Sequence, residues 1–378
     1  MNNKSQTHFS FPLVHTRPLT VLVFMLLGLC SMMSAYGERL GEKGIFLTDQ
    51  RIDKIRDNIY GQVYPTYEAF LQLKEDANAA MEGEPNPPTV WYVPGYYKDA
   101  DGHQAAKLAL HDDANSVYAL ALMYKLSGRD EYGLAAARYI DAWVETVEKT
   151  ETKDDSMLSF SYHFPPFIFA ADMIRDDTTI WPITKQRAFS DFLRNKAIPL
   201  NTMKTPNNWG NWGAVLVMSG AVYLDDRVMF DKVVERWKAL TRDQVADDGH
   251  LRHEVNRHVR GDRGIWYSHF SLFPQTITAE IARLQGVDLY NWKSEEGRSL
   301  ELAYETLVPW TVDPSTFPYY KGKPSGQKLT DYISYWEILN MHWPQRKAQG
   351  MIEKMRPLTA DHSAPYLTLT HGSLSPSL

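Results

Sequence analysis

Residues 250–269 read His-Leu-Arg-His-Glu-Val-Asn-Arg-His-Val-Arg-Gly-Asp-Arg-Gly-Ile-Trp-Tyr-Ser-His, with four arginines, four of the chain's 12 histidines and one tyrosine. Glu254 and Asp262 alone oppose them, in a chain of formal charge -6. Cationic groups clustered on an acidic protein focus the field at one place, which suits an anionic ligand. A solvated basic loop is the plainer alternative. Tyr267 adds a group able to transfer a proton, provided nearby arginines stabilise its phenolate and lower its pKa. Arg257, Arg260 and Arg263 carry planar forks that match a carboxylate, and His253 is a further donor among them.

A second constellation is Pro206-Asn207-Asn208-Trp209-Gly210-Asn211-Trp212. Asparagine before a helix can simply be its N-cap. The other reading sets the amides of Asn207 and Asn208 toward a carboxylate and the rings of Trp209 and Trp212 beside a sugar. A third, Ser161-Tyr162-His163-Phe164-Pro165-Pro166, places a lone histidine before a helix, either as a structural group or facing a ligand. His111-Asp112-Asp113 reads as a capping segment. No metal is expected. The spacing of His250 and His253 is not the His-Glu-x-x-His motif of zinc peptidases, and the neighbouring arginines repel a cation. No other cofactor is implied, and nothing suggests a nucleic-acid partner.

These residues need a scaffold, and the pattern around them is helical at nearly every stretch. Apolar residues recur at helical spacing over 49–73, 113–126, 131–148, 163–174, 184–196, 211–223, 227–245 and 268–284. Thr48 or Asp49 can cap the first. Ser127-Gly128 ends 113–126, the first helix of a hairpin whose second is 131–148. Residues 82–103 are rich in Pro, Gly, Trp and Tyr, and read as a long aromatic loop of the kind that forms lids or binding loops. Asp248-Gly249 reads as a turn, and Gly261 and Gly264 break helix, so 252–263 is expected as a loop or ribbon. Strand alternation is scarce, and no fixed-period repeat is present. Consecutive helix hairpins in one chain predict an all-α toroid or helical array in a single domain. The Ser, Gly and Pro in 371–378 predict a frayed end.

Residues 1–37 read as an export signal, with Lys4 and Arg17 ahead of an apolar run and Ala35-Tyr36-Gly37 as small residues for cleavage. A mature domain over 38–378 in the periplasm or outside the cell is expected. Without Lys4 and Arg17 its formal charge falls from -6 to -8. The only cysteine, Cys30, lies inside the signal, which leaves no thiol chemistry, disulfide or cysteine-based zinc site. The 11 Trp, 21 Tyr and 15 Phe suit both a large core and a groove whose rings stack on sugars.

An ordered set of short motifs carries a resemblance. Asn207-Asn208, Asp248-Gly249, Glu254-x-x-Arg257, Tyr267-Ser268-x-Phe270-x-Leu272 and Gly286-Val287-Asp288-Leu289 follow one another. Over about residues 200–292 the chain resembles the alginate lyase superfamily of polysaccharide lyases, and the hairpin from 113 to 143 fits more loosely. The resemblance implies an incomplete α/α toroid and β-elimination on a uronic-acid polymer such as alginate or glucuronan. It implies Tyr267, Asn208, His253, Arg257 and Arg263 as catalytic groups, and Asn207, Trp209, Trp212, Arg260 and His163 as substrate contacts. Two departures mark a divergent branch. Trp209 stands where the best-known branch has histidine, and the interval from Glu254 to Tyr267 is longer. The motif's histidine is therefore not carried over, with His253 or His163 as its replacement, and the family arginine is Arg257 counted from the glutamate or Arg260 counted from the tyrosine, with Arg263 a further rival. A glycoside hydrolase using Asp112, Asp113, Asp248 or Glu254, and a non-catalytic glycan-binding protein, are the competing classes.

Overall fold

The computed structural model describes residues 39–258, 261–320, 332–360 and 362–372. The export-signal reading of 1–37, with Cys30, lies outside them, as does Arg260. Helices dominate, and one hydrophobic cluster draws its members from Leu40 to Leu369 among the described residues. No helix among the described residues is long and apolar enough to cross a membrane.

The expected first helix is two. Thr48 caps α1 (Asp49–Tyr60), its hydroxyl accepting from Arg51 N at 3.1 Å. Gly61 and Pro65 then break the run, and α2 (Thr66–Glu82) follows. The aromatic loop occupies 83–99, shorter than the 82–103 expected, because Asp99 caps α3 (Ala100–Ser127) early, its carboxylate accepting from Gly102 N at 2.8 Å. His111-Asp112-Asp113 is therefore mid-helix, not a cap. Asp113 is buried and accepts from Trp143 Nε1 and Asn86 N, both at 2.7 Å. Gly128, at φ +68, closes α3 through its N–H to Tyr124 O at 2.8 Å. The hairpin partner is α4 (Asp130–Thr146). Strand β1 (Val90–Trp91) of the loop pairs in parallel with β2 (Lys149–Thr150), and the buried Trp91 donates to Ser156 O at 2.9 Å, which ties the loop's base to the core.

The segment 163–174 also divides. His163 ends α5 (Ser156–His163), and Pro165 starts α6 (Pro165–Ile174), where a missing N–H is harmless. After α7 (Ile183–Phe192) and a π turn (Leu193–Ala197), two helices form the middle of the molecule. In α8 (Asn208–Tyr223) every residue except Trp209 is buried, so it is apolar all round rather than amphipathic. It packs on α9 (Arg227–Gln244) and most extensively on α10 (Gly264–Leu284), itself buried from Gly264 to Ala282 with Trp266 as the exception.

The close fit of α8 depends on glycine. A Cβ on Gly213 would lie 2.3 Å from Asn201 Oδ1.

The chain continues through α11 (Leu300–Val312), α12 (Trp336–His342), α13 (Arg346–Met355) and α14 (Leu367–His371). This last helix packs back on α1 and α2, bringing the end of the succession against its beginning. The frayed end expected from residue 371 is corrected in part. His371 is buried, its Nε2 3.6 Å from the buried Glu280 carboxylate. The buried pair Arg356–Glu337, at 2.7 Å, and the Thr368 hydroxyl on Glu337 anchor the same segment.

Candidate active site

The N-terminus of α8, the loop 245–263 and the start of α10 meet. Val245 and Leu251 form an isolated antiparallel bridge, closed by a turn in which Gly249 has φ +88. The loop then folds back tightly. A Cβ on Gly264 would lie 2.2 Å from Val255 O, so only glycine lets the loop press on the first turn of α10. That contact sets Glu254 and Arg257 beside Tyr267.

Asn207 is the N-cap of α8, its Oδ1 accepting from Trp209 N at 3.2 Å. The capping reading therefore describes Asn207. Asn208 is different. Its backbone N–H donates to Glu254 Oε1 at 3.0 Å, and its Nδ2 donates to Oε1 at 3.0 Å and Oε2 at 3.1 Å. Both residues are buried. The expectation that this amide is turned toward a ligand is corrected: its N–H groups are occupied by a carboxylate. Asn208 Oδ1 is buried with no partner. Burial pushes the Glu254 carboxyl above its ordinary pKa, against the bonds from Asn208 and the charge of Arg257.

Arg257 bridges the two halves. Its Nη1 is 3.9 Å from Glu254 Oε2, and its guanidinium lies 4.2 Å from the centroid of the Tyr267 ring. The Tyr267 hydroxyl is hydrogen-bonded at 2.9 Å to the hydroxyl of Tyr97, from the aromatic loop. Tyr97 stacks on His258 at 6.3 Å, and His258 Nδ1 is 2.8 Å from Asp262 Oδ1. The loop thus sits as a lid on Tyr267. The expectation that the arginines lower the Tyr267 pKa is also corrected. Burial, and next the Tyr97 hydroxyl, hold it above the ordinary tyrosine value, and Arg257 only opposes them. In this state the phenol is protonated at neutral pH.

His163 is buried, and its Nε2 has no hydrogen-bond partner. Its ring meets His111 at 5.1 Å and His362 at 5.5 Å. Burial first, and then His362, His111, Lys107 and His103, keep it well below the ordinary histidine pKa, so it is neutral.

The remaining expected residues divide. Trp212 is corrected from a sugar platform to a core residue: it is wholly buried and packs on Tyr162, Phe270 and Phe273. His253 is exposed and has no hydrogen bond among the described residues, so the geometry gives it no place beside Tyr267. Arg263 stands at the N-cap of α10 with a buried, unpartnered Nε. Trp209 is half-buried and presents the α8 residue that faces outward most. The sequence reading missed Tyr97, although Gly95-Tyr96-Tyr97 marked the loop, and missed His362, which no local motif signals.

Among the described residues no set of three or more His, Cys, Asp or Glu side chains is placed to hold a metal ion. The carboxylates proposed for a hydrolase do not pair either. Glu254 is held by Asn208, Asp113 by Trp143 and Asp248 by His250, and Asp112, on the same helix as Asp113, is 67 % exposed. A cavity of about 470 Å³ lies elsewhere, between the N-terminal segment and Asp172 and Arg175, and shares no residue with this cluster.

Comparison with known proteins agrees with this arrangement. The family profile described as alginate lyase matches residues 66–317. An alginate lyase of Pseudomonas putida is 34 % identical over 125 residues, 33 % of this chain and 31 % of the relative. One from Cobetia marina is 31 % identical over 129 residues, 34 % of this chain and 32 % of the relative. The alignment thus spans about a third of the length of these relatives. Among solved structures, alginate lyase A1-III from Sphingomonas species A1 superposes with a TM-score of 0.70 at 18 % identity, over 85 % of this chain and 95 % of that one. A variant of A1-III complexed with a tetrasaccharide gives 0.73 at 18 % identity, over 86 % and 95 %. An alginate lyase from Bacteroides ovatus gives 0.67 at 18 % identity, over 86 % and 98 %. The fold is the α/α toroid of these enzymes.

Proposed function

The chain belongs to the alginate lyase family, and from that premise we propose that it is an exported, metal-independent lyase that cleaves a uronic-acid polymer by β-elimination. The polymer is alginate or a related polyuronate such as glucuronan. The observation that carries this reading is the Tyr267 hydroxyl, with the Arg257 guanidinium over its ring and the Asn208–Glu254 pair beside Arg257.

Elimination removes the C5 proton of a uronate and expels the sugar linked at C4. The C5 proton is weakly acidic while the adjacent carboxylate bears its charge. Donors arranged beforehand around that carboxylate stabilise the enolate-like intermediate. Arg257 is suited to this task, and so is Asn208 once its amide is freed from Glu254. Tyr267 is suited to protonate the leaving oxygen, because burial keeps its proton in place. The leaving oxygen must take the position that the Tyr97 hydroxyl holds, so substrate displaces the lid at that contact. The C5 proton needs an acceptor other than the protonated Tyr267, and His163, neutral and with an unpartnered Nε2, is suited to take it. The basic segment and the aromatic loop suit an anionic polysaccharide partner.

The role of Arg257 predicts a modest, specific loss. Arg257→Lys keeps the charge but loses the flat face over the ring and the fork for a carboxylate. We expect kcat/KM to fall about tenfold, or about 1.4 kcal/mol, with folding unchanged. Unchanged steady-state kinetics would return Arg257 to the solvated loop.

The polymer itself is tested by incubating the protein with alginate, polymannuronate, polyguluronate and glucuronan. Ultraviolet absorbance of the unsaturated end should rise on at least one, and chelator should leave the rate unaltered. Reducing ends without absorbance would favour the hydrolase, and binding without either would favour the glycan-binding protein.

A further inference from the structure

The bonds of Asn208 conflict with its proposed task. An ionised carboxylate can only accept hydrogen bonds. While Glu254 is charged, the Asn208 amide must therefore keep its N–H groups toward it, as it does at 3.0 and 3.1 Å. The oxygen left over, Oδ1, is buried and receives no hydrogen bond. An unsatisfied buried acceptor of this kind costs about 1–3 kcal/mol. In this orientation the amide offers a substrate carboxylate an oxygen, which repels it, and withholds the nitrogen that would bind it.

One proton removes the conflict. A protonated Glu254 is a donor on one oxygen and an acceptor on the other. Its O–H can donate to Asn208 Oδ1, while its other oxygen still accepts from the Asn208 backbone N–H. The amide has then turned over, Oδ1 is satisfied, and both Nδ2 protons are released.

Resting on the polyuronate reading, we propose that Glu254 takes a proton from solvent as the substrate carboxylate binds, and that the Asn208 amide turns over to present its N–H groups to that carboxylate. The proton is returned when product leaves. Glu254 is a positioning residue: it acts through Asn208 and does not touch the substrate. The protein thus meets an incoming negative charge by discharging one of its own, and the buried site holds one negative charge before and after binding.

The surroundings suit such a proton. Among the described residues the charged side chain acting on Glu254 is Arg257, from the same loop, with Nη1 3.9 Å from Oε2. Asn208 faces it from α8 as a neutral group, and Tyr267, from α10 beneath the Arg257 guanidinium, is protonated. Burial already raises the carboxyl toward its neutral form. A substrate carboxylate close by raises it further, as a like charge does.

The test measures protons rather than turnover. Tyr267→Phe protein is titrated by calorimetry with a tetrasaccharide of alginate or of glucuronan, whichever polymer the absorbance assay selects. The titration is repeated in buffers of different ionisation enthalpy, near neutral pH. Binding should take up close to one proton, and the uptake should vanish in Tyr267→Phe/Glu254→Gln, because Gln presents the same donor and acceptor permanently. No uptake in the single variant, or equal uptake in both, overturns the proposal and leaves the lyase reading standing. If neither tetrasaccharide binds, the polyuronate reading is overturned, and this proposal with it. If the double variant does not fold, difference infrared spectroscopy of Tyr267→Phe decides. A protonated-carboxyl band should appear on binding, and its absence overturns the proposal.

Discussion

Tyr267→Phe should fold normally, still bind oligouronate, and lose elimination by about 10²–10⁴-fold, the range a positioned proton donor supplies. The substitution keeps the ring, and with it the contacts to Trp266 and Arg257. It removes one oxygen, which hydrogen-bonds the Tyr97 hydroxyl and accepts from Arg257. Tyr97 is 64 % exposed, so water replaces the lost bond and the effect on stability stays below about 1 kcal/mol. The check is a pair of measurements: kcat on the selected polymer, and the urea midpoint. Near-normal turnover by the Phe variant would reject the acid role and direct attention to His163, whose neutral ring and unpartnered Nε2 make it another group able to carry a proton.

Asn208→Ala should lose both rate and stability, for separate reasons. One preorganised donor at a developing negative charge is worth about 10²–10³ in kcat. The stability loss comes from Glu254. Deleting the amide leaves that buried carboxylate with the Asn208 backbone N–H and the more distant Arg257 as its remaining partners, which should cost about 1–3 kcal/mol. Reading the sequence alone gave no reason to expect this loss, because the carboxylate partner is 46 residues away. The measurement is kcat corrected for the folded fraction, beside the shift in urea midpoint. A destabilised variant whose folded fraction turns over normally would leave Asn208 a structural residue.

The helical architecture was legible because its signals are local. Thr48, Gly128 and the apolar stripes from 113 to 148 reveal caps, a stop and a hairpin without knowledge of the rest of the chain. Breaks were harder to see. Gly61 with Pro65, and Pro165 after His163, each divided a run whose periodicity continues across them. The early start of α3 at Ala100 was hidden by the aromatic residues just before it.

Within the site, residue types were legible and their partners were not. Tyr267, Arg257 and Asn208 stand out by company and spacing, and the fold brings them into one cluster. Glu254 was visible as part of Glu254-x-x-Arg257, but not as the group that holds the Asn208 amide. Trp212 misled because a tryptophan beside asparagines looks like a sugar platform, whereas α8 is buried on all sides. The direction of the Tyr267 pKa failed for a similar reason. Nearby arginines are counted easily in a sequence, and burial, the larger effect here, is not.

The central claim is that this chain breaks its polymer by elimination rather than by adding water. Cleavage in heavy-oxygen water, with mass analysis of the fragments, tests it most directly. Elimination adds no solvent oxygen at the broken bond, so each pair of fragments should sum to the mass of the parent and carry no label. One heavy oxygen for each bond cleaved, with fragments that sum to the parent plus one water, would contradict the account.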